Sequence, residues 1–241
     1  MAFPLDTALL LAGLRGGAVG CVSFFAWLTA FELRPLAQAG KWRASLRPGL
    51  TAGVGVWALP FLSIHWSAPP GFCPLFTALA LPIAIFGAAC GFAVESAFDD
   101  ARGLLAGAAL LGGAIAIGDA MTSAGRMWLS GREVDDMPFA VGVALASSLS
   151  AAALFALRRA PEPVGRLWAV MLLTVAAEVV QATDAWARKF TAGPMSGPIC
   201  RLPALPGEAM APIAAAILIL VVLAVRKWLI YDPRHHRVGL A

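Results

Sequence analysis

The sequence predicts an all-α integral membrane protein with seven transmembrane helices. Three observations lead to this fold class: 60% of the 241 residues are hydrophobic, only 13% are charged, and the mean hydropathy is +0.79. A soluble domain of this length has too little interior to bury so much apolar side-chain surface, so lipid must cover a large part of it. The composition therefore argues against a soluble enzyme.

Seven apolar segments are long enough to cross a bilayer, because about 20 helical residues match a hydrocarbon core roughly 30 Å thick. They are predicted at residues 8–31, 50–64, 75–94, 104–121, 137–157, 167–186 and 210–230. Helices are the only expected spans, since the chain lacks the alternating segments, each of about ten residues, that form a membrane β-barrel. The whole chain, residues 1–241, is therefore predicted to be one polytopic transmembrane domain.

The basic residues of the connecting segments predict the orientation. Twelve Lys and Arg lie on the side that follows helices one, three, five and seven, whereas five lie on the other side. Cytoplasmic segments carry the excess of Lys and Arg, so the N-terminus is expected outside and the C-terminus inside. Because these residues are scattered between apolar runs, they are interpreted as topology signals and not as a nucleic-acid surface. On this topology Trp57 is expected in the aromatic belt of the outer interface.

The orientation places two of the four cysteines, Cys73 and Cys200, in outer loops. If that side is an oxidising space such as a bacterial periplasm, a disulfide between them would tie the loop after helix two to the loop after helix six. Two free thiols, or a soft-metal site with a nearby Met, are the alternatives. Cys21 and Cys90 lie within spans, where a thiol usually acts as a small apolar group.

An internal repeat runs through the chain. The ends of helices two, four and six read GVGVWALPF (53–61), GGAIAIGDA (112–120) and AEVVQATDA (177–185). When Pro60, Asp119 and Asp184 are taken as equivalent, the spacings are 59 and 65 residues. Each unit is then a helix, a basic inner loop and a second helix that ends outward in a short motif. Three such pairs and one closing helix account for the seven spans.

This arrangement resembles the MHYT family of bacterial integral membrane domains, whose three helix pairs end near the outer face in a motif of the form Gly-x-Gly-Ile-Trp-x-Met-His-x-x-Gly-Met. The first copy matches it best, with Gly53, Gly55, Val56 and Trp57. The Met-His pair of the family is replaced in all three copies, by Leu59-Pro60, Gly118-Asp119 and Thr183-Asp184. The resemblance implies the MHYT fold, multi-pass in a bacterial inner membrane.

The resemblance also implies an outer ligand site, because MHYT domains have been proposed to bind a metal such as copper through Met and His and to sense a gas or a redox condition. Here Asp119 and Asp184 would offer hard oxygen ligands, which make a poor Cu(I) site. No cofactor is therefore expected. Copper is the alternative, with His65 and Met121 as the substitute ligands.

Polar residues within the spans predict an ion pair. Glu178, Gln181 and Asp184 follow one another at steps of three residues on one face of helix six. An ionised carboxylate inside a bilayer is costly unless it is paired or faces water. Arg15 of helix one lies at a depth similar to that of Glu178, so the two are expected to form a buried pair that fixes helix packing. Proton or ion conduction and a ligand pocket are the alternatives.

The missing histidines and the short segment after the last span favour a non-catalytic subunit that serves as a structural or assembly component of a larger membrane complex. Its expected partners are the lipid bilayer and other membrane protein subunits. A stand-alone sensory domain, which binds a metal or small ligand at the outer face and signals through a partner, is the first alternative. A proton or ion transporter is the second. Neither the structural nor the sensory interpretation predicts an enzyme.

Overall fold

The computed structural model describes residues 26–31, 42–64, 72–98, 100–127, 132–134, 136–160, 162–190 and 205–231. Within these ranges the chain is almost entirely helical, which confirms the all-α prediction. The helices are α1 (residues 26–31), α2 (Trp42–Ile64), α3 (Pro74–Ala97), α4 (Ala101–Met127), α5 (Asp136–Arg159), α6 (Val164–Ala187) and α7 (Gly207–Tyr231).

Five of the described helices, α3 to α7, are long and apolar enough to cross a membrane. They extend the predicted apolar segments by one to six residues at each end. Large apolar side chains project from their outer faces, and Phe86, Leu105 and Leu220 are 60–65% exposed. So much apolar surface is stable only in lipid or against another protein. The chain is therefore a multi-pass membrane protein, while the count of seven spans and the orientation of the termini stay predictions.

The second predicted span, residues 50–64, lies within the longer helix α2. This helix begins at Trp42, so Arg43 and Arg47 lie in its first turns and not in a loop. Residues 51–61 of α2 are all buried by other parts of the protein. Because α2 contacts protein and not lipid along most of its length, its sequence can include glycines and prolines that lower its hydropathy.

Consecutive helices from α2 to α6 pack against one another, and α7 packs on α2. α2 contacts α3 and α7 extensively, and it also touches α4 and α6. The three helices that carry the repeated motifs, α2, α4 and α6, all contact one another. Glycines permit the close approaches: a Cβ atom at Gly112 of α4 would lie 2.6 Å from the Cα atom of Ser147 in α5. Small residues at such crossings are typical of helix packing in membranes.

Two three-residue strands, which the sequence did not predict, join the connections at one end of the bundle. β1 (Arg132–Val134) pairs antiparallel with β2 (Arg188–Phe190) and so joins the α4–α5 connection to the α6–α7 connection. An isolated bridge between Phe72 and Leu205 joins the α2–α3 connection to the α6–α7 connection as well. We call this end, where α2, α4 and α6 finish, the motif end. The opposite end, which contains Glu95 and Arg158, is the clamp end.

Candidate functional site at the motif end

An aromatic cluster closes α2 at the motif end. The ring centroids of Trp57 and Phe61 are 5.0 Å apart, and those of Phe61 and Phe72 are 4.9 Å apart. The indole Nε1–H of Trp57 donates a hydrogen bond of 3.0 Å to the backbone oxygen of Thr77 in the first turn of α3. Trp57 is only 4% exposed. The prediction that it lies in an interfacial aromatic belt is therefore wrong, because its ring fills the space between helices.

Cys73, next to this cluster, is disulfide-bonded and fully buried. Cys90 is a free thiol, so the partner is Cys21 or Cys200, both of which lie outside the described residues. The backbone of Phe72 exchanges hydrogen bonds of 2.8 and 2.9 Å with that of Leu205. These bonds hold the α2–α3 connection beside the α6–α7 connection, which contains Cys200. The Cys73–Cys200 disulfide stays a prediction, and the backbone bridge is the observation that favours it over Cys21.

Asp119 of α4 and Asp184 of α6, the carboxylates at two of the motif positions, are buried, with 5% and 7% of their surface exposed. Asp184 lies in the last turn of α6, whereas Asp119 lies about two turns before the end of α4. A buried carboxylate needs hydrogen bonds or a counter-charge to offset its lost hydration, and each of the two residues makes at least one such hydrogen-bonding or electrostatic interaction. Their burial means that neither side chain reaches open water at the surface of the protein.

The two aspartates also lie at the same depth in the bundle. Gly112 of α4 approaches Ser147 of α5, and Gly142 of α5 approaches Thr183 of α6. Neighbouring helices here are antiparallel, so residue numbers that rise along one helix fall along the next. Counting from the two contacts therefore places Asp119 and Asp184 at the same level, to within about one helical turn. α4 and α6 are also in contact, so the two carboxylates lie on neighbouring helices at one level of the bundle.

Pro60, the third motif position, is buried but lies at a different depth. A Cβ atom at Gly118 would lie 3.2 Å from Cγ1 of Val56 in α2. The residue of α2 that is level with Asp119 is therefore Trp57, and Pro60 lies about one turn further toward the motif end. The sequence repeat pairs Pro60 with Asp119, whereas in the packed helices the residue level with Asp119 is Trp57, about one turn away.

Hydroxyl groups beside the aspartates bond to their own helices. The Oγ1–H of Thr122 donates to the backbone oxygen of Gly118 at 3.0 Å, and that of Thr183 donates to Val179 at 2.9 Å. Such bonds satisfy a hydroxyl donor without water or a ligand. Thr122 and Thr183 therefore pack between the helices without needing a further partner for their hydroxyl hydrogen.

The remaining predicted site residues are only partly described. Glu178 and Gln181 are half-buried on α6, whereas Arg15 lies outside the described residues, so the Arg15–Glu178 pair stays a prediction. Met121 is half-buried on α4, and His65 lies outside the described residues.

The predicted metal ligands are only partly described. Within the described ranges, no three His, Cys, Asp or Glu side chains come together as a metal site would require. Asp119, Asp184 and Met121 alone would be a poor donor set for Cu(I), which prefers imidazole and sulfur ligands. Because His65 lies outside the described residues, the copper site stays a prediction.

The best-defined polar contact lies at the clamp end, and the sequence interpretation missed it. Glu95 of α3 is 2% exposed, and its Oε1 accepts a hydrogen bond of 2.9 Å from Nε of Arg158 in α5. Nη2 of Arg158 donates to the backbone oxygens of Glu95 and Phe98 at 2.9 Å, and Nη1 donates to that of Asp100 at 3.2 Å. One guanidinium thus neutralises a buried carboxylate and satisfies carbonyls where α3 ends.

Neighbouring residues complete the clamp. The Oδ1 atom of Asp100 accepts a hydrogen bond of 2.8 Å from the backbone N–H of Gly103, which caps the start of α4. Gly107 lets α4 approach closely, since a Cβ atom there would lie 2.8 Å from Cβ of Glu95. The sequence signal was a Glu at the end of one apolar run and an Arg pair at the end of another.

The chain matches no protein-family model, no curated protein and no solved structure. The MHYT resemblance accordingly stays a prediction that rests on the sequence repeat.

Proposed function

We propose that this chain is a non-catalytic membrane subunit of MHYT-like fold that serves as a structural component of a larger membrane complex. The observation that carries the proposal is a stripe of small side chains on the exposed face of α5. The stripe consists of Ala140, Ala144, Ser148 and Ala152, each exposed and each four residues from the next.

This stripe has the properties of a helix-packing surface in lipid. Residues four apart lie on one face of a helix, and small side chains at that spacing let a second backbone approach closely. The hydroxyl of Ser148 donates to the backbone oxygen of Ala144 at 2.8 Å, so the stripe needs no water to satisfy it. These features support contact between α5 and a transmembrane helix of a partner.

The exposed face of α7 provides the contrast. It presents Ile213, Ile219, Leu220 and Leu223, which are 46–65% exposed. Bulky side chains of this kind fit against acyl chains and keep a neighbouring backbone at a distance. α5 also exposes larger side chains beside the stripe, among them Val141 and Leu145 at 38% and 44%. The feature that supports a partner surface on α5 is therefore the unbroken row of small residues, which would let a partner helix approach along that line.

A sensory function is the second candidate, and the buried aspartates favour it. Asp119 and Asp184 lie level with each other beneath the joined connections of the motif end. Their oxygens would suit a hard cation rather than copper. This candidate predicts a bound ligand that is lost when either aspartate is replaced by Asn.

The test compares two Ala→Leu substitutions in protein extracted from its native membrane in mild detergent. Ala144→Leu adds bulk to the stripe, and we expect recovery of the co-purifying membrane protein to fall about tenfold, which corresponds to about 1.4 kcal/mol. Ala216→Leu on the exposed face of α7 is the matched control and should leave recovery unchanged. Neither side chain faces the core, so both variants should have the same melting temperature as the wild-type chain.

Two results would contradict the structural proposal. One is the same recovery of partner from both variants. The other is a stoichiometric metal ion in the purified chain that is lost in Asp119→Asn, since this result would support the sensory candidate instead.

A further inference from the structure

The segments that adjoin the helix ends at the clamp end differ in their sequence charge. The two short connections there fall in residues 95–102 and 158–166, which together contain four basic and four acidic residues. Residues 32–47, which lead into α2, and residues 226–237, at the end of α7, together contain eight basic and two acidic residues. The first pair of segments is balanced, whereas the second pair holds a large excess of positive charge.

The balanced segments are also paired through contacts. Arg158 binds Glu95, and Nη2 of Arg166 lies 2.8 Å from Oε1 of Glu162. Half of the basic residues in these segments are therefore matched with carboxylates. Because the two segments carry no net formal charge, this side of the clamp end should attract an anion only weakly.

The fold brings the start of α2 and the end of α7 together, although they lie near opposite ends of the sequence. α2 and α7 are in contact and run in opposite directions, so the start of α2 lies near the end of α7. α7 stays packed on the core at Val221 and Val222, about one turn before Arg226. Arg47, Arg226 and Lys227 are all exposed there. We call this surface, defined by these three residues, the basic corner.

We infer that the basic corner binds the headgroup of an anionic phospholipid. Exposed Arg and Lys at the ends of membrane helices lie at the level of the headgroup phosphates and attract anionic lipid. Apolar side chains for the acyl chains lie next to the cations: Leu220 and Leu223 of α7 are 65% and 58% exposed, and Leu50 of α2 is 36% exposed. A soluble anion would contact only the cations. Because exposed leucines lie beside the cations, the surface fits a lipid, which has both an anionic headgroup and acyl chains.

Orientation signals do not explain the basic corner by themselves. A bias of Lys and Arg toward one side of the membrane sets the topology whichever loops carry the charges. It does not require that the start of α2 lie beside the end of α7. It also does not require that the α3–α4 and α5–α6 connections carry no net charge. The packing of α2 against α7 is what concentrates the charge at one place.

The experiment measures lipid retained by the full chain after extraction from vesicles of equal phosphatidylglycerol and phosphatidylcholine, using native mass spectrometry. In the double variant Arg226→Gln/Lys227→Gln we expect retained phosphatidylglycerol to fall about fivefold for each cation removed. Retained phosphatidylcholine should stay the same. Equal melting temperatures will show that the variant is folded, because both side chains are exposed.

A matched control removes two exposed cations from the balanced side of the clamp end. The double variant Arg102→Gln/Arg159→Gln has the same change in net charge, and its retained phosphatidylglycerol should change by less than about twofold. Equal losses in the two double variants would show a diffuse charge effect and overturn the inference. So would unchanged retention in both, or displacement of the lipid by soluble glycerol phosphate. A bound acidic polypeptide that is lost from the first variant, with phosphatidylglycerol unchanged, would assign the corner to a protein and also overturn it.

Discussion

The two ends of the bundle are held together by different kinds of contact. At the clamp end the connections are short, and a single side chain, Arg158, binds Glu95 and the carbonyls that follow α3. At the motif end the longer connections are joined by backbone pairs, β1 with β2 and Phe72 with Leu205, and Cys73 beside them is disulfide-bonded. A side-chain clamp depends on the identity of two residues, whereas backbone pairing tolerates many side chains. The motif end can therefore keep its fold when the side chains of a motif change.

The largest expected effect is at the clamp end, on replacing Arg158 with Met. The change leaves Glu95 buried without its cation, and breaking a buried pair from one side costs about 3–5 kcal/mol. Arg166→Met is the control, because it breaks an exposed i, i+4 pair with Glu162 and should cost no more than about 0.5 kcal/mol. Unfolding in detergent monitored by circular dichroism measures both. Similar losses for the two variants would remove the distinction between the clamp and an ordinary surface pair.

A smaller effect is expected where helices cross between the two ends. A Cβ atom at Gly112 would meet the backbone of Ser147, whereas one at Gly113, the next residue, would meet nothing within 4 Å. Gly112→Ala should therefore push α4 from α5 and lower the free energy of unfolding by about 1–3 kcal/mol. Gly113→Ala should be neutral or slightly stabilising, since Ala favours a helix. Thermal melting of the two variants in the same detergent checks the prediction, and equal melting temperatures would argue against tight packing of α4 on α5.

The smallest effect is expected at the motif end, on replacing Trp57 with Phe. The substitution keeps an aromatic ring but removes the hydrogen bond to the Thr77 carbonyl, at a cost of about 1 kcal/mol. Trp168→Phe is the control, because Trp168 is 54% exposed on α6. Chemical denaturation of both variants gives the comparison. A loss at Trp57 as large as that at Arg158 would show that the motif end depends on particular side chains as much as the clamp end does.

The sequence predicted α3 to α7 closely because their apolar runs are bounded by charged or turn-forming residues. It placed the start of α2 too late, since Arg43 and Arg47 look like loop residues to a hydropathy argument although a helix can continue through them. Burial was the second failure. Trp57 was expected at the interface because hydropathy does not show that other parts of the protein cover residues 51–61 of α2.

Ion pairs were harder to predict than helices. Glu95 and Arg158 are 63 residues apart, and their pairing depends on how α3 and α5 are rotated about their own axes, which a count of charges does not reveal. Depth was predicted only in part. The helix contacts place Asp119 and Asp184 level with each other, whereas Pro60, which the repeat treats as equivalent, lies about one turn away.

The most direct test of the structural role is the mass and composition of the particle that contains this chain. Protein extracted from its native membrane in mild detergent can be measured by light scattering after size exclusion, with its polypeptides quantified and its metals analysed. The account predicts a fixed ratio of this chain to at least one other membrane protein, with no stoichiometric transition metal. A particle that contains this chain alone and carries one such metal per chain would contradict it.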